Sequence, residues 1–127
     1  MTNNPPPPEV ARLSDIIGIG AALALIETHG GTRLYVPRAM SEDINLLKVI
    51  GLEASEKLIQ AHGGNYLKIP VARQWRAVLY RGQDMSYARI ARRLGCTEGT
   101  VWRILSEYEM TSRQLDLFAA APAKPER

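Results

Sequence analysis

Hydrophobic positions in this chain follow two rhythms, one helical and one alternating, and the pair is read out twice. A short helix is predicted over about 9–17, ending at Gly18, and an amphipathic helix follows over about 19–29. Gly30 and Gly31 stop it, since a glycine pair can supply a left-handed helix cap. Thr32 to Pro37 then alternates as a short strand, with Leu34 and Val36 on one face and Arg33 and Tyr35 on the other. The same order returns as helices over about 43–50 and 52–62, Gly63-Gly64, and a strand within Asn65 to Pro70. In the second long helix Leu52, Leu58 and Ile59 are expected to face inward, and Glu53, Glu56, Lys57 and Gln60 to face water.

This recurrence is a sequence repeat. Residues 9–37 align without a gap on residues 42–70, a period of 33, with identities that include Leu13/Leu46, Ile17/Ile50, Gly18/Gly51, Leu25/Leu58, His29/His62, Leu34/Leu67 and Pro37/Pro70. A strand this short needs a partner. The two strands can pair within one chain, or each can pair with a copy in a second chain. His29 and His62 are read as residues of a last helical turn near its orphan carbonyls rather than as metal ligands, because no further ligands stand at the usual spacing.

After Pro70 a third kind of segment begins. A helix is predicted over Val71 to Arg81 with Val71, Trp75, Val78 and Leu79 as its buried stripe, and Gly82-Gln83-Asp84 breaks it. Ser86 to Leu105, SYARIARRLGCTEGTVWRIL, then reads as helix, turn, helix. Ser86 caps the first helix, and Ile90, Ala91 and Leu94 share its buried face. Gly95 makes the turn and Cys96 plugs it. Thr97 caps the second helix, which buries Val101, Ile104 and Leu105 and runs to about Tyr108 or Met110. Small Ala91 lets the two helices cross closely, as in a helix-turn-helix. The expected fold class is therefore mainly α with short β-strands: a tandem helix-GlyGly-strand repeat followed by a three-helix bundle containing a helix-turn-helix.

Charge sharpens this picture. Residues 71–113 carry eight arginines and no lysine against four acids, whereas residues 1–70 carry six basic and seven acidic residues. Arginine suits bidentate contact with phosphate and guanine, so the positive segment is expected to bind double-stranded DNA. One cysteine excludes an internal disulfide, and the apolar run Ile16 to Ile26 is too short to span a bilayer. A cytoplasmic, nucleoid-associated protein with no membrane partner is expected. No acidic cluster, Cys/His set or nucleophile–base pair stands in one motif, so neither enzyme nor metal nor cofactor is expected. The expected organisation is a disordered Pro-rich leader (1–8), a duplicated helix-strand module (9–70), the helix-turn-helix domain (71–110) and a flexible tail (111–127).

HGGNYLKIP (62–70), its extra copy HGGTRLYVP (29–37) and RQWRAVLYRGQDMSYARIARRLGCTEGTVWRIL (73–105) together resemble the Mor transcription activator family of phages and prophages. The glycine-strand-proline unit joined to a helix-turn-helix is the specific part of the likeness, which covers about residues 9–108. The resemblance implies a homodimer formed partly by strand pairing between subunits, promoter binding by the helix-turn-helix, and recruitment of host RNA polymerase. The duplicated first unit departs from the family pattern, and an intrachain strand pair can replace the intersubunit one.

If the second helix enters the major groove, the expected base-reading residues are Thr97, Glu98, Gly99, Thr100, Trp102 and Arg103, with Trp102 equally able to join the core. Phosphate contacts are expected from Ser86, Tyr87, Arg89, Arg92, Arg93 and Arg76. In the tail, Gln114, Leu115, Asp116, Leu117 and Phe118 resemble the pentapeptide by which bacterial replication and repair proteins bind the sliding clamp. A glutamine at a pocket rim with a leucine and a phenylalanine inside is a plausible peptide dock. The alternative is that these residues pack on the bundle or extend its last helix. The tail thus defines a second function, a DNA-binding replication or mobile-element accessory protein tethered to the clamp.

Overall fold

A computed structural model describes residues 4–39 and 44–120, with the side chains of residues 44, 115, 116 and 118–120 left aside. Among the described residues, six helices and one two-stranded sheet form two compact units, one spanning Pro5–Ala72 and the other beginning at Arg73.

The first unit contains α1 (Pro8–Ile17), α2 (Ile19–His29), β1 (Arg33–Tyr35), α3 (Ile44–His62) and β2 (Tyr66–Lys68). Pro8 opens α1, where a missing N–H costs nothing, so the helix starts inside the expected leader. Gly18 separates α1 from α2 at φ 91°, ψ 155°, and Gly51 breaks α3 at φ 87°, ψ 171°. Val10, Leu13, Ile17, Leu25, Ile26, Leu46, Leu58, Val36 and Ile69 make the buried centre. Leu52 departs from expectation: like Ile19, it is exposed in the first turn after a non-helical glycine, before the helix has turned its stripe inward.

The strands pair with each other, antiparallel and within one chain, in the register Arg33–Lys68, Leu34–Leu67 and Tyr35–Tyr66. The alternative that the sequence left open is thereby resolved, and strand pairing between subunits is not needed to partner either strand.

Each Gly-Gly pair divides its work. The second glycine takes the left-handed conformation, Gly31 at φ 86° and Gly64 at φ 85°. The first lets backbones meet. A Cβ on Gly30 would lie 2.5 Å from the Ile26 carbonyl oxygen and 3.0 Å from that of Pro70. On Gly63 it would lie 2.5 Å from the Ile59 oxygen and 3.2 Å from that of Pro37.

The second unit holds α4 (Arg73–Gly82), α5 (Tyr87–Leu94) and α6 (Glu98–Ala120). Ala77, Tyr80, Met85, Ile90, Ala91, Leu94 and Val101 form its core, flanked by Tyr87, Cys96, Ile104 and Leu105. Trp75 and Val78 are buried as expected, whereas Val71 precedes α4, is exposed and belongs to the first unit. Helix α6 continues ten residues past Met110, to Ala120, and so takes in residues 111–120 of the expected tail. No glycine or proline stands between Gly99 and Pro122 to stop it. Among the described residues no helix is long and apolar enough to cross a membrane.

Candidate nucleic-acid interface

The local geometry of the helix-turn-helix follows from three residues. Ser86 Oγ accepts a hydrogen bond from the Arg89 amide at 3.2 Å and caps α5. Gly95 takes φ 71°, ψ 40°, and the amide of Cys96 donates back to the Ala91 carbonyl at 3.0 Å, the long bond of a Schellman turn. Thr97 Oγ1 accepts from the Thr100 amide at 3.2 Å at the start of α6, with the two threonine hydroxyls 3.0 Å apart. Buried Ile90, Ala91, Leu94 and Val101 then fix α6 against α5.

What α6 leaves outside is informative. Glu98, Gly99, Trp102 and Arg103 are exposed, Thr100 is half-buried, and Thr97 is exposed with its hydroxyl engaged in capping. Spacings of three and four place Gly99, Trp102 and Arg103 on one face of the first two turns, opposite Val101 and Leu105. Trp102 is 61% exposed, so it is not part of the core. An indole held in water on an arginine-bearing helix face is an unspent contact surface.

The arginines divide. Arg89, Arg92 and Arg103 are exposed. Arg93 is exposed too, with its guanidinium 5.4 Å from the Tyr80 ring centroid. Arg76, expected at a phosphate, is instead buried. It is 5% exposed, its Nε donates to the Tyr80 hydroxyl at 3.2 Å, and a second guanidinium nitrogen donates to the Arg93 carbonyl at 3.1 Å. These bonds tie α4 to the end of α5.

Ser86 is exposed and Tyr87 half-buried at the start of α5. Arg81, absent from the expected contacts, lies 5.0 Å over the Tyr87 ring and donates to the Met85 carbonyl at 2.8 Å. A positive charge is therefore positioned beside the first turn of α5. Its sequence signals were membership of the arginine-rich segment 71–113 and its place at the end of α4, before a turn.

Of the pentapeptide, Gln114 and Leu117 are exposed on α6, Leu117 by 70%. The side chains of Leu115, Asp116 and Phe118 lie outside the described residues.

No curated protein and no solved structure matches the chain. A family of homeodomain-like domains matches residues 69–114, a range that takes in all of α4 and α5 and the exposed face of α6. Residues 69–114 are thus similar to homeodomain-like domains, which supports a helix-turn-helix of DNA-binding type in this segment.

Proposed function

We propose that this protein is a sequence-specific transcription regulator of the Mor activator type, which inserts the first turns of α6 into a major groove. The observation that carries the reading is the outward face Gly99–Trp102–Arg103, held rigid from behind by Val101. Arg103 is assigned to a guanine edge, Trp102 to a thymine methyl, Glu98 to a cytosine amine, and Thr97 and Thr100 to bases or phosphates beside them. Ser86, Tyr87, Arg89, Arg92 and Arg93 hold the backbone phosphates, joined by Arg81. The activator assignment draws support from the HGG-strand-IP unit that precedes the domain, and host RNA polymerase is the partner it calls for.

Binding titrations against a selected site separate the two roles. Arg103→Ala is expected to lose about 1–3 kcal/mol of discrimination at one base pair. Arg92→Ala is expected to weaken binding to all duplexes alike and reduce the salt slope by about 1. Unchanged affinity, specificity and salt slope in both variants would sink the assignment.

The exposed Leu117 favours a second reading, attachment of the 114–118 pentapeptide to a bacterial sliding clamp, since at that residue the segment does not pack on the bundle. Leu117→Ala in the full chain should then abolish retention on immobilised clamp while leaving duplex binding unchanged; equal retention of both proteins ends this reading.

A further inference from the structure

We infer that residues 5–72 are a symmetric two-copy interface folded into a single chain, so that the protein carries its reader as a monomer and occupies one asymmetric DNA half-site. The half-site claim rests on the DNA reading above; the claim about the interface does not.

In an interface between identical copies related by a two-fold axis, residue i of one touches j of the other and j touches i. That signature lies here inside one polypeptide. The Gly31 amide donates to the Ile69 carbonyl at 2.8 Å, and the Gly64 amide donates to the Val36 carbonyl at 2.7 Å. The Ile69 amide donates to the Thr32 carbonyl and the Val36 amide to the Asn65 carbonyl, both at 2.9 Å. Exchanging each residue for the one 33 positions away converts the first member of each pair into the second. The two backbone approaches at Gly30–Pro70 and Gly63–Pro37 exchange in the same way. Leu34 faces Leu67, its own counterpart, which puts the axis between them.

Each half therefore satisfies the other half's backbone. A lone half would leave these amides and carbonyls without partners, a cost of about 1–3 kcal/mol for each that stays buried. With both halves in one chain, a second copy has nothing to complete at this seam. The described residues contain one helix-turn-helix. Palindromic operators mirror a two-fold axis relating two readers. The axis here lies inside the repeated unit and relates no pair of readers, so nothing selects an inverted repeat.

The full chain tests this by mass, melting and site selection. Light scattering should give one chain of 14.1 kDa. The Tm should not move over roughly a hundredfold range in concentration, as it would for a dimer. Selection from a random duplex library should yield one asymmetric motif, bound by one chain. A dimer mass with a concentration-dependent Tm, including a dimer made by exchanging halves, overturns the single-chain interface. A monomer that enriches an inverted repeat bound by two chains overturns the half-site. A monomer with a fixed Tm that enriches no duplex upholds the interface and overturns the DNA reading, and the half-site with it.

Discussion

The two units reach stability by different means. In the second, side chains do the joining: Tyr80 sits at the centre of the core with Arg76 and Arg93 against its ring. In the first, backbones do much of it, through carbonyls and amides that meet only because Gly30 and Gly63 lack a Cβ. A side-chain core tolerates changes that conserve volume, whereas a backbone seam tolerates no added atom. The units should therefore fail under opposite substitutions, one when atoms are removed and the other when they are added.

Tyr80→Ala should show the largest effect. It empties the core and removes the hydroxyl to which Arg76 Nε donates, and losses of about 3–5 kcal/mol accompany such truncations of large aromatics. Hydrogen exchange should show protection lost first in α4–α6. Gly63→Ala should cost less, about 1–3 kcal/mol for an overpacked contact, with protection lost first around β1 and β2. If each variant loosens both units equally, the contrast between them is false. Ser86→Ala, which removes a cap but no packing, should cost about 1 kcal/mol in thermal unfolding. The smallest change runs in the other direction. Ser55 is fully buried, and its hydroxyl has no hydrogen-bond partner among the described residues. The residue 33 positions earlier, Ala22, is equally buried without a hydroxyl. Ser55→Ala should raise stability by about 1 kcal/mol, because an unsatisfied buried group is removed at nearly constant volume. A destabilised variant would mean that the hydroxyl is satisfied in solution.

Much of this architecture was legible because it is written in local patterns. The Gly-Gly stops and the Ser86–Gly95–Thr97 frame depend on neighbours within a few residues, and the 33-residue period is read by aligning the chain on itself without a gap. What escaped depends on residues far apart. Arg76 reads as a solvated arginine until the Arg93 carbonyl, seventeen residues on, is placed over it. Strand partnership was unreadable because the two strands are near copies, and either could accept its twin from any chain. Trp102 was ambiguous because adjacent Val101 is core, and a helix turns only part of a stripe between neighbours. The length of α6 was left open between a stop near Met110 and an extension into the tail, because its apolar stripe fades after Leu105 while no residue stops the helix. At the candidate interface, charge and helical spacing pointed to the outward face of α6, but which arginines are buried was a tertiary fact.

The strand register has one more consequence. When two identical ribbons pair about a two-fold axis, both ends of the ribbon must look alike. Here Arg33 faces Lys68 at one end, and Tyr35 faces Tyr66 at the other with ring centroids 5.3 Å apart. Two cations opposite one another repel, and Arg33 leans 5.8 Å over the Tyr66 ring. With both strands in one chain the two need not be identical, and this ribbon has a polarity, cationic at one end and aromatic at the other, that no symmetric pair of chains can possess.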